Sequence, residues 1–209
     1  SLGGLKGTIV NLAVKYVKKM VPPYAIPEAW SFKKAMAVGK NKPYERQHLK
    51  GEDLAFLQYT GGTTGVSKGA MLSHSNIVAN MQQISAWMKP KLIEKEETVI
   101  TALPLYHIFA LTVNCLAMMK IGAHNVLVTN PRDMPAFCKT LKKHPFSVFT
   151  GVNTLFNGLL NQESFRSLDF SSLKIAVAGG MALQSSVAER WKEVTGTPIS
   201  EGYGLTETP

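Results

Sequence analysis

The 209 residues are 45% hydrophobic and 18% charged, enough apolar content for one domain with a sizeable core and too much for a disordered chain. Cys115 and Cys138, with no CxxC or metal spacing, exclude a disulfide framework and a zinc site and fit a reducing, cytoplasmic compartment; no apolar run approaches the roughly 20 residues of a membrane span. The net charge of +9 is uneven: residues 1–50 carry ten Lys/Arg against Glu28 and Glu45, and the remainder carries 13 against 12, so a basic lead-in (1–50) precedes an electrostatically ordinary domain (51–209).

Residues 8–21 read as a helix, with Thr8 as its cap and Val10, Val14, Val17 and Val21 on one face, Lys15, Lys18 and Lys19 on another. "PPYAIP" stops it, and a short helix at about 28–38 follows. The basic helix either lies on anionic lipid, at the inner face of a bacterial cell membrane, or packs on the domain through its valines. Few aromatics and no known module accompany the charge, so no nucleic-acid partner is expected. From Leu54 the texture changes. "LAFLQYT" reads as a strand running into a glycine loop, 75–88 as a helix capped by Ser73 or Ser75, and "TVITALP" as a buried strand. Residues 106–120 read as a deep helix, apolar nearly all round. Three more strands, "HNVLVT", "FSVFTGV" and "LKIAVAGG", alternate with helices over "RDMPAFCKTLKKH", which Asp133 caps with Pro135 in its first turn, and "NTLFNGLLNQ". The helix "LQSSVAERWKEVTG" and the strand "PISEGYG" complete the series. This alternation predicts an α/β fold with a mostly parallel sheet flanked by helices.

In such sheets ligands sit beyond the carboxyl ends of the strands. Polar or glycine-rich clusters follow five of the expected strands, at 60–69, 104–107, 150–154, 179–182 and 202–207, and together they point to one composite site. The first, "TGGTTGVSKG", combines four glycines and four hydroxyls with Lys68. Glycine lets main-chain amides approach an anion, and hydroxyls and an ammonium add donors, which is the chemistry of holding a polyphosphate. It is not the usual P-loop, because Ser67 rather than glycine precedes Lys68.

"YTGGTTGVSKGAMLSH" (59–74) resembles the phosphate-binding signature of the adenylate-forming superfamily, which joins acyl-CoA synthetases, luciferases and peptide-synthetase adenylation domains. "LPLYHIFALT" (103–112), "AGGMAL" (178–183) and "EGYGLTET" (201–208) resemble its other motifs in the same order. "TGGTTG", "ALPLYHIFALT", "NPRDMPAF" and "GVNTLFN" are similar to bacterial long-chain fatty-acid–CoA ligases over nearly the whole chain. The resemblance implies a two-step ligase using ATP, Mg²⁺ and coenzyme A: a fatty acid becomes acyl-AMP with release of pyrophosphate, then an acyl-CoA thioester. It implies that Thr60, Gly61, Gly62, Thr63, Thr64, Gly65 and Lys68 hold the β- and γ-phosphates. Tyr203 would stack on adenine, with Gly179 and Gly180 as the opposite wall of the purine slot. Thr206 would donate to the α-phosphate, Glu207 would bind Mg²⁺ and His107 would line the carboxylate end of the acyl site. Candidates for the acyl tunnel are Tyr106, Phe109, Val152, Thr154, Leu155 and Met181, the last departing from the small residue usual there.

Ser1 in place of Met and the ending "GYGLTETP" suggest an excised piece, truncated at both ends relative to the family. The family's ribose-binding aspartate, hinge and C-terminal lysine would lie beyond Pro209. The expectation is therefore no ligase turnover by this piece alone, and apolar surface left by absent sheet partners that favours self-association. Two other readings stay open: an adenylating ligase for another carboxylate, and a non-catalytic nucleotide-binding or membrane-associated module.

Overall fold

The computed structural model describes residues 4–23, 25–60 and 67–208, which fall into two units, Ser1–His48 and Leu49–Pro209. The first unit holds helix α1 (Gly4–Leu12), running on into a π turn (Ala13–Val17), and helix α2 (Phe32–Lys40), whose first turn is capped by Ser31 Oγ accepting from the Lys34 amide at 3.2 Å. Among its described residues only Gly7 is buried. The helix expected at 8–21 thus begins and ends earlier, and Thr8 lies inside it, bonding back to the Gly4 carbonyl rather than capping. The valine face expected from 3.6-residue spacing is not kept. The π turn uses i→i+5 bonds and changes the angular step, and Val10, Val17 and Val21 are exposed.

In the second unit β1 (Leu54–Thr60) and β2 (Lys68–Ser73) form a two-stranded antiparallel ribbon in which Leu57 faces Met71 and Thr60 faces Lys68. This corrects the expectation that β1 belongs to the parallel sheet. A polar and glycine-rich sequence hid a second strand at 68–73, and Thr60 and Lys68, from the cluster's described part, pair in an antiparallel ribbon rather than follow a parallel strand. Helix α3 (His74–Met88) starts at once, closed by a capping box in which Ser73 Oγ accepts from the Asn76 amide and Asn76 Oδ1 from the Ser73 amide, so Ser73 is the cap rather than Ser75.

The main sheet is parallel throughout, in the order β4 (His124–Leu127), β3 (Thr98–Thr101), β5 (Val148–Gly151), β6 (Ile175–Gly179), β7 (Ile199–Gly202). The central strands are apolar on both faces because both are covered. On one face α3, a π-helix (Ala110–Ala117) and α4 (Met118–Lys120) bury Met88, Val113, Ala117 and Met118 against Val99, Val148, Ile175 and Val177. On the other lie α5 (Met134–Lys143), α6 (Asn153–Leu160), α7 (Glu163–Arg166) and α8 (Ser185–Thr195). There Trp191, fully buried, meets Phe156 edge-on at 4.8 Å and Phe149 and Phe165 at 5.4 and 5.3 Å between centroids. Such aromatic pairs contribute about 1 kcal/mol each beyond their area. Helix α5 is started by Asp133 accepting from the Ala136 amide, with Pro135 in the first turn. From β3 the chain passes to β4 on one side and then returns to β5 on the other. The order therefore reverses at β3, and the carboxyl ends of β3 and β5 open onto a crevice.

Candidate functional site

A cleft of about 850 Å³ occupies that switch point, lined by the segments that leave β3, β4 and β5. Four of the six tunnel candidates line it together: Tyr106 from the loop after β3, Val152 at the end of β5, and Thr154 and Leu155 in the first turn of α6. Phe109 and Met181 do not. Its wall also includes Met134 and Arg132, which precede and open α5 and were not singled out from sequence. The available signal was their place after the strand "HNVLVT". Arg132 is the charged residue of an otherwise largely apolar lining, suited to a long apolar molecule with one polar end.

Phe109 serves a different surface. It flanks the π-helix, and a Cβ on Gly179, the last residue of β6, would lie 3.1 Å from its ring. Gly179 thus admits the close approach of Phe109. Gly180 sits at φ +78°, where only glycine is unstrained. His107, exposed, stands just ahead of the helix; its Nδ1 accepts from the Phe109 amide at 3.3 Å and its carbonyl from the Leu111 amide at 2.9 Å.

The segment after β6 is tied to the start of α6 and to β7, forming one rim. The Gln184 amide donates to Asn153 Oδ1 at 3.0 Å, and the Leu183 amide to Glu201 Oε2 at 3.3 Å. Beyond β7, Tyr203 is 95% exposed, Thr206 half-buried and Glu207 exposed. A second tie reaches the hairpin: Gln58 Nε2 donates to the Tyr106 carbonyl at 2.7 Å, so the strand carrying Thr60 is fixed to the cleft wall. Thr60 and Lys68 face each other at the hairpin's end, the Thr60 hydroxyl 3.5 Å from the Lys68 carbonyl. Gly61, Gly62, Thr63, Thr64 and Gly65 lie outside the described residues. Among the described residues no cluster of three or more His, Cys, Asp or Glu side chains forms a metal centre, and no helix is long and apolar enough to cross a membrane.

The arrangement is an apolar cleft with a polar rim and an adjacent hairpin ending in a hydroxyl and an ammonium. The model of the family described as AMP-binding enzyme matches residues 9–209. The chain is 56% identical over 206 residues to the long-chain-fatty-acid–CoA ligase of Escherichia coli O6:H1, covering 99% of this chain and 37% of that relative. It superposes on the ATP-bound crystal structure of MatB from Rhodopseudomonas palustris with a TM-score of 0.70 and 26% identity, over 84% of this chain and 34% of that one. The anthranilate CoA ligase AuaEII in complex with anthranoyl-AMP has a TM-score of 0.73 at 22% identity over 96% of this chain and 40% of that one, a likeness of fold. The chain thus spans little more than a third of the length of the curated relatives it matches.

Proposed function

The chain belongs to the AMP-binding enzyme family, and from that premise we propose that it is the central segment of a long-chain fatty-acid–CoA ligase. The observation that carries this reading is 56% identity to ligases of that name over nearly the whole segment. The apolar cleft with Arg132 in its wall agrees with a fatty acid as the carboxylate. In the first step the acid's carboxylate attacks the α-phosphorus of ATP and pyrophosphate leaves. In the second the thiol of coenzyme A displaces AMP. Both are displacements at anionic centres, so the protein's task is to position the groups and neutralise charge.

Lys68, Thr60 and the glycine loop 61–65 hold the β- and γ-phosphates in this reading. Tyr203 stacks on adenine across from Gly179 and Gly180, and Thr206 donates to the α-phosphate. Tyr106, Val152, Thr154 and Leu155 take the acyl chain. Glu207, an exposed carboxylate, would offer the oxygen ligand that Mg²⁺ takes, the ion keeping waters and sharing phosphate oxygens, whose charge it offsets. The basic first unit, with Lys15, Lys18 and Lys19 beside exposed Val17 and Met20, suits peripheral contact with an anionic membrane from the cytoplasmic side, where fatty acids arrive. Exposed Leu57 and Met71 on the hairpin suit self-association of the isolated segment.

The test is fatty-acid-dependent exchange of pyrophosphate into ATP by the full-length ligase carrying this segment, beside the 209-residue chain. Exchange that peaks with long acids and is absent from the segment alone is expected. A peak with short or aromatic acids would replace the substrate, and absence of exchange with every acid would overturn the ligase reading.

A further inference from the structure

Nothing in that reading uses the fully buried carboxamide of Asn114, in the middle of the π-helix. Its Nδ2 donates to the Thr101 hydroxyl at 3.2 Å and to the Ile100 carbonyl at 3.4 Å, and its Oδ1 accepts from the Thr150 hydroxyl at 2.9 Å. Its main-chain carbonyl accepts from Asn125 Nδ2 at 2.9 Å, and Asn125 Oδ1 accepts from the Thr101 hydroxyl at 2.6 Å. One residue thereby joins β3, β4 and β5 directly below the crevice, of which Thr101 is also a wall. A fully satisfied buried polar network of this kind selects a single arrangement of the elements it connects.

The helix geometry shows what is selected. Eight residues in π form are unusual, since π geometry normally appears as single turns inside α-helices, often at functional sites. The Met118 amide, which in an α-helix would donate to the Asn114 carbonyl, donates instead to the carbonyls of Val113 and Cys115. The Asn114 carbonyl is engaged by Asn125. The side-chain amide on β4 therefore competes with the α register at this point. Relaxing the register by one residue would turn everything N-terminal to it by roughly 100°. Phe109, packed on Gly179, and His107, which accepts from the Phe109 amide, both lie in that part.

We propose that Asn114, held by Asn125, is a positioning residue that locks the π register and so sets where Phe109 and His107 stand at the junction of the acyl cleft and the β6 loop. Its effect on catalysis rests on the ligase reading above; its effect on register does not.

The experiment compares the full-length ligase with its Asn125→Ala and Asn114→Ala variants, and takes crystal structures of the wild type and of Asn125→Ala. Asn125→Ala is the milder change, on the half-buried edge strand β4, and keeps the test open if Asn114→Ala does not fold. In the Asn125→Ala crystal the Met118 amide is expected on the Asn114 carbonyl, with the Phe109 ring displaced from Gly179. An unchanged π-helix would overturn the proposal. In exchange assays at a temperature where the variants are folded, kcat is expected to fall at least tenfold with the KM for ATP within twofold of wild type. A variant with altered register and wild-type kcat would overturn the positioning role. Wild-type protein without exchange would remove the ligase reading and leave the register to be decided by the crystals alone.

Discussion

At the amino ends of the strands, Glu97 is buried ahead of β3 and receives Lys174 Nζ at 2.7 Å and the Ile93 amide at 2.6 Å; at the carboxyl ends, Tyr106 and Tyr203 are 80% and 95% exposed. The Ser147 hydroxyl accepts from the Thr98 amide and donates to its carbonyl, joining the starts of β3 and β5. Lys174, just before β6, extends the tie across the sheet. The lower end thus holds a buried carboxylate in an ion pair, whereas the loops of the upper end, tied to the side chains of Asn153, Glu201 and Gln58, leave their aromatic and charged groups facing outward. The difference teaches that the buried ion pair and the exposed ligand-facing groups sit at opposite ends of the strands, so each can be broken without the other.

The largest expected loss of stability is at the lower end. Glu97→Ala leaves Lys174 without its partner, and removing one member of a buried ion pair costs about 3–5 kcal/mol; the solvent reach of Lys174 places the result toward the lower figure. Urea unfolding of the 209-residue chain measures it. The same pair gives a pH signature. Burial pushes the Glu97 carboxyl up, but the hydrogen bonds from Lys174 and the Ile93 amide, with the nearby Ser147 hydroxyl and the Lys174 charge, outweigh it and hold the group below the ordinary glutamate value. A lowered pKa in the folded state means its stabilisation is full above the unfolded value and is lost as pH falls through the folded one. Glu97→Gln is therefore expected to flatten the acid limb of the stability–pH curve, and an identical acid limb in the variant would refute the assignment.

A smaller cost belongs to the junction behind the rim. Gly179→Ala sets a methyl 3.1 Å from the Phe109 ring, and overpacking of this kind costs about 1–3 kcal/mol. Unlike Glu97→Ala it should also displace the β6 loop, so exchange activity in the full-length ligase falls by more than the unfolded fraction explains. Equal losses would erase the distinction between the two ends.

How much of this was legible in the sequence follows the same division. Strands β1, β3, β5 and β6 announced themselves as apolar runs, and Asp133 with Pro135 marked the start of α5, because burial and capping leave local signatures. The strand Lys68–Ser73 did not, since its residues KGAMLS mix a charge, a glycine and a serine, and its pairing with β1 is a property of the partner strand. The same holds for the break in the valine face: spacing assumes a helix type, and the π geometry of 13–17 and 110–117 depends on bonds the sequence does not display. Of the proposed site, the loops beyond the strand ends were legible from their composition and motif order. The tie made by Gln58 was not, because its partner Tyr106 is distant in the chain, and neither was Arg132, which joins the cleft wall only once the strands are arranged.

The smallest expected effect on stability tests the comparison most directly. Tyr203 is almost wholly exposed, so Tyr203→Ala should change unfolding free energy by less than about 0.5 kcal/mol. If its ring stacks on adenine, the same change removes an aromatic–base contact of about 1–3 kcal/mol, a loss of roughly five- to 150-fold in nucleotide affinity. Titration of the full-length ligase with a non-hydrolysable ATP analogue, set beside urea unfolding, separates the quantities. Glu97→Ala should show the reverse pattern, a large unfolding effect and unchanged affinity in the folded protein. A Tyr203→Ala protein that binds the analogue as tightly as wild type would move adenine away from the β7 loop. A Tyr203→Ala protein that unfolds far more readily would show that the upper end also carries stability, and the separation along the strands would fail.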